Sequence, residues 1–365
     1  MDAPFPFGFP GATAFYLTFY VLTLVIHVLF MNYVLAGTAY LAVVTLFTGG
    51  AAAARERSTT ALVLRDWMPF ALSAAITAGV APLLFVQILY QRQFYSANLL
   101  LFHRWMAMLP VLIVGFYLLY LLKSRRIGEW AAAARAALGG GAWLCFVFAG
   151  YSWTENHLLS THERVWAGFY ASGAQIYRSP ELLPRLAVWF VGAIPTLAVL
   201  VAWQLWLRQR AGRRLPHAEL SRLALLAVGG LVLSAACGGL YYLTMEEAAR
   251  RQLTGALASP YLVAAVFGLV LQVVAWVAQW RRPWVSVVWL GVASIGVLIT
   301  VVGVTVVREA IRLSAVDIGA LYEQHARAAA VGGLPVFLVC FVINAALIAW
   351  CIALAQGRRR TSAAR

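Results

Sequence analysis

The chain has 365 residues, of which 63% are hydrophobic and 11% are charged, and its formal net charge is +15. Soluble domains contain about 45–50% apolar and about 25% charged residues, so this composition excludes an ordinary soluble enzyme. The same apolar content excludes a disordered chain, and the lack of a glycine period excludes a collagen-like one. In a soluble protein this basic excess would suggest nucleic acid. In so apolar a chain it indicates membrane topology, and we expect no nucleic-acid partner.

Nine stretches reach the length of about 20 mostly apolar residues that a membrane-spanning helix needs. The sequence therefore predicts an all-α fold, a polytopic integral membrane helical bundle with about nine transmembrane helices. We expect a single transmembrane domain over 1–365, with a four-helix part at about 14–165 and five further helices at about 185–355. The predicted spans are 14–48, 67–90, 97–122, 133–153, 185–207, 223–244, 259–280, 284–307 and 331–355.

The connections between these spans alternate in charge. One set holds 18 basic and four acidic residues, a net of +14, whereas the other holds 10 basic and 9 acidic residues, a net of +1. Because basic loops stay in the cytoplasm, we expect a bacterial inner (cytoplasmic) membrane protein with a periplasmic N-terminus and a cytoplasmic C-terminus. The basic side is also expected to contact anionic lipids. The basic connections are 49–66, 123–132 with Arg135, 208–222, 281–283 and the tail from 356.

His27 is an ionisable residue about halfway along the first predicted span. Such residues are costly inside a membrane unless they have a partner or a function. Imidazole is a good axial ligand for haem iron, and the small residues Ala36 and Gly37 that follow would let a macrocycle approach the helix. The alternative is a buried histidine that hydrogen-bonds to a neighbouring helix.

Glu309 and Arg312 lie at the outer end of the eighth predicted span. Their spacing of three places both on one helical face, near Arg308 and Thr305. A carboxylate at this depth can ligate iron or relay protons, and an arginine can pair with it or with a haem propionate. An ordinary interfacial ion pair is the alternative.

Polar and aromatic residues also mark the outer ends of the second and third spans. Gln87, Tyr90 and Arg92 are candidate contacts for a quinone head or a haem propionate, or part of an aromatic belt with a snorkelling arginine. The longest outer connection, 154–184, contains His157 and His162, which are either a metal-binding pair or solvated loop histidines. A further outer connection contains His325, with no evident partner, and an amphipathic piece at 315–328 that we expect along the membrane surface.

Several of these segments together resemble subunit I of the cytochrome bd quinol oxidases. The similar segments are 27–30 (HVLF), 35–37 (LAG), 65–72 (RDWMPFAL), 76–79 (ITAG), 85–87 (FVQ), 151–156 (YSWTEN) and 307–312 (VREAIR). The resemblance implies a divergent relative in which His27 is an axial haem ligand and Glu309 ligates a high-spin b haem. It does not extend to the family's low-spin b haem, because the fifth predicted span has neither histidine nor methionine.

The resemblance and the polar residues lead to three functional hypotheses. The first is a membrane subunit of a respiratory electron-transfer complex, a quinol-linked oxidoreductase that carries haem b, a quinone site or both. It would exchange electrons with other membrane redox subunits and a periplasmic c-type cytochrome. His27 would be an axial ligand, Glu309 a second ligand or proton acceptor, and Arg312 the electrostatic partner of Glu309. The other hypotheses are a haem-free scaffold that anchors redox subunits, and a transporter, for which the spans contain few charges.

Overall fold

The computed structural model describes residues 3–47, 59–212, 215–331 and 333–363, and within these ranges every regular element is helical. The prediction of an all-α fold is thereby confirmed for the described chain. A 3-10 turn at Glu163–Val165 lies between the sixth and seventh α-helices. The α-helices are α1 (Gly11–Phe47), α2 (Thr59–Leu89), α3 (Gln91–Leu100), α4 (Phe102–Lys123), α5 (Arg125–Gly128), α6 (Ala132–Thr161), α7 (Trp166–Ala171), α8 (Leu182–Arg210), α9 (His217–Thr244), α10 (Glu247–Leu253), α11 (Ser259–Trp280), α12 (Val287–Ser314), α13 (Ile318–Ala330) and α14 (Gly333–Ala363).

Eight of the described helices are long and apolar enough to cross a membrane: α1, α2, α4, α6, α8, α9, α11 and α12. A ninth candidate consists of α13 together with 335–351 of α14, which meet at a bend of 71°. The predicted ninth span, 331–355, therefore falls on α14. Eight or nine long apolar helices are compatible with a polytopic membrane bundle.

Several predicted boundaries are wrong: the second span begins at Thr59 and not at 67, and the eighth ends at Ser314 and not at 307. The third span, predicted at 97–122, begins only at Phe102, because Leu101 leaves the helical conformation and separates the polar helix α3 from α4. The fourth span, predicted to end at 153, continues to Thr161. Its last two turns are rich in polar residues, a pattern that predicts a loop, but most of those side chains are buried.

The polar connections meet at two ends of the bundle. At the end that we call the basic end, Asp66 of α2 lies 3.9 Å from Arg208 of α8, and the Gln209 side chain accepts a hydrogen bond from the Val285 backbone. Five arginines of the basic connections lie outside the described residues: Arg55, Arg57, Arg213, Arg214 and Arg365. The opposite end, which we call the distal end, comprises α3, α7, α10, α13 and the helix termini beside them.

Helix α1 is central, since it packs against α2, α6, α8, α12 and α13. Its first half belongs to a core cluster at the distal end, whereas its second half packs into a larger cluster with α2, α8 and α9. Helix α13 starts where the Asp317 carboxylate caps the backbone amides of Gly319 and Ala320. The start of α14 contacts the bundle through Phe337, whose ring centroid lies 5.1 Å from that of Phe85.

Helices α11 and α12 approach each other along a line of glycines, and close backbone contact of this kind is typical of helix pairs in membranes. A Cβ atom placed on Gly268 would lie 2.7 Å from the Gly296 carbonyl oxygen. One placed on Gly303 would lie 2.5 Å from the carbonyl oxygen of Tyr261. Backbone oxygens cannot turn aside as a side chain can, so these positions require glycine.

Replacing Gly303 with alanine is therefore expected to lower the free energy of unfolding by about 1–3 kcal/mol, the usual cost of overpacking a core. Thermal unfolding of the detergent-solubilised chain measures the change. Gly291→Ala on the same helix is the matched control, because no atom lies within 4 Å of a Cβ placed there. We expect the control to be neutral or slightly stabilising, since alanine favours helix more than glycine does. Equal stability of the two variants would contradict the close approach.

Candidate functional site

Five side chains form a buried polar group at the distal end, which we call the distal network: Tyr20, Tyr90, Arg308, Glu309 and Arg312. The last turns of α12 supply the three charged residues, because positions 308, 309 and 312 share one side of that helix. Tyr20 comes from α1, and Tyr90 directly follows the last turn of α2. The network thus joins the end of α12 to α1 and to the junction of α2 with α3.

Both oxygens of the Glu309 carboxylate are engaged, and the residue is only 1% exposed. Oε1 accepts hydrogen bonds from Nε and Nη2 of Arg308, at 3.1 and 2.7 Å. Oε2 accepts a hydrogen bond from the Tyr90 hydroxyl at 3.0 Å. Nη2 of Arg308 also donates to the hydroxyl of Tyr20 at 2.7 Å. A buried carboxylate is tolerated when it is paired and hydrogen-bonded in this way.

The structure corrects the predicted pairing of Glu309 with Arg312, because the neighbouring Arg308 makes that ion pair. Arg312 instead lies over the Tyr90 ring, with its Cζ 3.8 Å from the ring centroid. A guanidinium stacked on an aromatic face in this way gains a cation–π interaction. Helical spacing places Arg312 on the correct face, but a ring from another helix lies against its guanidinium.

His27 is half-buried in the seam between α1 and α2. Its Nδ1 lies 2.9 Å from the carbonyl oxygen of Ala75, so Nδ1 carries the hydrogen and donates it. A Cβ placed on Gly79 would lie 2.9 Å from the imidazole, which means that the ring lies directly against the α2 backbone. Nε2 makes no hydrogen bond with any described residue.

The two residues predicted to bind metal belong to different places. His27 follows Tyr20 by seven residues, which is about 10 Å along an α-helix. Glu309 is bound at the level of Tyr20. The described residues include no group of three or more His, Cys, Asp or Glu side chains that could hold a metal ion.

The hydrogen bonds and ion pairs of these residues determine which of them are free to bind a haem. His27 fits, because an iron-bound histidine usually donates its second ring N–H to a carbonyl or carboxylate, and here Ala75 accepts it. Glu309 does not fit as a second ligand, because Arg308 and Tyr90 already bind its two oxygens in a closed core. Arg312 is 3% exposed and stacked on Tyr90, so it is not available to a propionate.

The three residues predicted to contact a quinone are not gathered in one pocket. Tyr90 is fully buried within the distal network. The Arg92 side chain is 73% exposed and forms a 3.0 Å ion pair with Glu163. Gln87 is half-buried and makes no hydrogen bond with the described residues.

Two polar clusters at the distal end were missed by the sequence reasoning. His325 is fully buried: its Nε2–H donates to the Leu89 carbonyl at 3.1 Å, and Nδ1 accepts from the Thr13 hydroxyl at 3.0 Å. Glu155 is also buried and binds Arg104 at 3.0 Å. The sequence signal was weak, because both look like outer-loop residues until the other helices are in place.

The segment between α7 and α8 folds back over the end of α6. The Tyr177 backbone N–H donates to Oε1 of Glu155 at 2.8 Å. Burial, assisted by the carboxylates of Glu246 and Glu181, raises the pKa of the Tyr177 phenol above its ordinary value. The predicted long outer connection is therefore shorter than expected and is anchored by buried hydrogen bonds.

Comparison with models of known protein families, with curated proteins and with solved structures finds no match for this chain.

Replacing Glu309 with glutamine is expected to destabilise the protein by about 3–5 kcal/mol, because it leaves the Arg308 charge buried without its partner. Tyr90→Phe removes one hydrogen bond to a charged group and is expected to cost about 1.5–3 kcal/mol. Thermal unfolding in detergent measures both losses.

Glu323→Gln on α13 is the matched control, because it makes the same chemical change at an exposed position. If Glu309→Gln destabilises the chain no more than this control does, the distal network is not the structural element described above.

Proposed function

We propose that this chain is a membrane subunit of a respiratory electron-transfer complex, in which His27 is an axial ligand of a b-type haem. The observation that carries the proposal is the hydrogen bond from Nδ1 of His27 to the Ala75 carbonyl, which leaves Nε2 unprotonated and without a partner. An ionisable group at this depth in an apolar helix is a functional-site candidate by default.

The chain's own residues determine how such a group is held. The bound haem would supply reversible one-electron chemistry. The Ala75 carbonyl fixes the ring tautomer and raises the basicity of Nε2, and Gly79 leaves room for the imidazole against α2. Because His27 is half-buried at the surface of the bundle, the haem would lie beside α1 and α2. Another membrane subunit would then cover its outer side.

In the proposed subunit, Glu309 acts as a proton acceptor and not as a second iron ligand. Its carboxylate is hydrogen-bonded to the Tyr90 hydroxyl, and Arg308 links it to the hydroxyl of Tyr20. Carboxylates inside membranes are typical members of proton relays. We do not extend the proposal to a quinone at Gln87, Tyr90 and Arg92, since they share no pocket.

A haem-free scaffold is the second candidate, and the closed distal network favours it. Within that network Arg308 and Tyr90 bind both oxygens of Glu309 and Arg312 stacks on the Tyr90 ring, so it stabilises the bundle without any cofactor. In this case the chain would anchor the other redox subunits and a periplasmic c-type cytochrome through the distal end.

We expect the purified chain to show b-type bands in a dithionite-reduced minus oxidised spectrum, and His27→Ala to abolish them. The physical reason is the loss of the imidazole whose Nδ1–H the Ala75 carbonyl accepts and whose Nε2 would bind the iron. Haem content per chain, measured by pyridine haemochrome, gives the stoichiometry. Glu309→Gln is expected to keep the bands in whatever fraction remains folded.

His217→Ala is the matched control, because it removes a histidine at the start of α9, at the basic end. The absence of b-type bands from the unsubstituted chain would favour the scaffold. Bands that survive in His27→Ala would assign the haem to other residues.

We also propose that the basic end faces the cytoplasm and the distal end the periplasm of a bacterial inner membrane. Support comes from the charge difference between the two sets of connections, +14 against +1. The arginines of the basic end would then lie at the level of the anionic headgroups of the inner leaflet.

Single cysteines in a variant lacking the four native ones test this orientation. Ser172→Cys, exposed after α7, is expected to react with a membrane-impermeant maleimide in intact spheroplasts. Arg281→Cys, exposed after α11, is expected to react only after permeabilisation. The reverse pattern would invert the topology.

A further inference from the structure

A cavity of about 320 Å³ lies at the distal end, between the last turns of α6 and α12, the first turn of α8, and α10. Its volume is at the lower end of the range found for small-molecule sites. Alanines of α10 and Ile311 of α12 form an apolar side. The remaining lining is mostly ionisable, and it contains none of the residues of the distal network.

The three carboxylates that line this cavity all have partners. Glu163 accepts from the Gln93 side chain at 2.9 Å and pairs with Arg92. Glu246 accepts from Arg164 at 2.7 Å and lies 3.3 Å from Nε2 of His162. Glu181 accepts from the Glu246 backbone N–H at 3.2 Å. Arg164 and His162, which also line the cavity, are therefore occupied as well.

Two lining residues lack such partners. The side chain of Arg185, in the first turn of α8, is half-buried and forms no ion pair or hydrogen bond with the described residues; its guanidinium lies 5.8 Å from the centroid of the Tyr241 ring. His157 is 8% exposed, yet neither of its ring nitrogens is hydrogen-bonded to a described residue. The half-buried guanidinium and the buried imidazole lie on one cavity wall without an acceptor among the described residues, so both are open to an acceptor from outside the chain.

The helix dipoles beside the cavity do not determine whether its ligand is an anion or a cation. The first turn of α8 contributes a positive potential and the last turn of α12 a negative one, and both border the cavity. Arg92 and Arg164 offset two of the three carboxylates. The group with unused hydrogen-bonding capacity is the fork of Arg185, whose five N–H donors match a carboxylate or phosphate.

We propose that this cavity binds an oxyanion group, a phosphate or a carboxylate, which is held by the guanidinium of Arg185 and the imidazole of His157. The apolar side accommodates the carbon part of the bound molecule. The oxyanion comes either from a free anion in the surrounding solution or from an anionic phospholipid headgroup, since the chemistry is the same. The site is independent of the proposed haem, because it shares no residue with His27 or the distal network.

The test uses the full chain in a nonionic detergent. Its unfolding temperature is measured against inorganic phosphate at constant ionic strength, and separately against phosphatidylglycerol, with phosphatidylcholine as the lipid control. We expect a saturable rise in the unfolding temperature with one of the two probes. Arg185→Gln is expected to weaken the apparent affinity at least tenfold.

Arg178→Gln is the matched control, because it removes the same charge from an exposed position in the adjoining segment and should leave the affinity unchanged. His157→Phe keeps an aromatic ring, removes both nitrogens and is expected to weaken binding several-fold. If Arg185→Gln does not fold, His157→Phe tests the site in its place.

A response to phosphate that needs Arg185 identifies a free anion, and a response to phosphatidylglycerol alone identifies a lipid headgroup. The proposal is overturned if neither probe raises the unfolding temperature. It is also overturned if the Arg185 and His157 variants respond as the unsubstituted chain does.

Discussion

The buried carboxylate of Glu309 is the constraint on which the distal half of the bundle depends. A charge at 1% exposure among apolar helices persists only if donors surround it, and here they come from α12 and from Tyr90. Arg308 then extends the set to Tyr20 of α1. Apolar contacts between membrane helices would tolerate some rotation and sliding, whereas these directional bonds fix how α1, α2 and α12 meet.

The fold was largely predictable from apolar length, because a span is a local property of about 20 residues. The failures lie where polar residues find tertiary partners. The end of α6 reads as a loop because Glu155, Asn156 and His157 are polar, yet Arg104 forms an ion pair with Glu155 and the Asn156 amide donates a hydrogen bond to Asn98. The local sequence does not show that those partners will be present. The end of α6, which depends on the burial of these polar groups, could therefore not be predicted from it.

The candidate site was predictable only in part for a related reason. An ionisable side chain costs free energy inside a membrane, and this identified His27 and Glu309 as unusual residues. Both make directional contacts in the structure. Helical spacing also put Arg312 on the correct face, but spacing describes a single helix. The ring of Tyr90 stacks on that guanidinium, and the adjacent Arg308 takes the ion pair. Gln87 and Arg92 were grouped with Tyr90 by sequence proximity, although the chain turns between them.

The polar groups along the described part of α1 differ in whether other residues enclose them. An enclosed group stabilises the fold, whereas an open group can bind a ligand from outside the bundle. Thr13 and Tyr20 are bound within enclosed sets of hydrogen bonds, with His325 and with Arg308. His27, deeper in the helix, has one nitrogen fixed and the other free at the surface of the bundle. A cofactor or ligand must reach its donor from outside without breaking the fold. His27 meets that requirement, as do Arg185 and His157 in their cavity, whereas Glu309 meets it only for a proton.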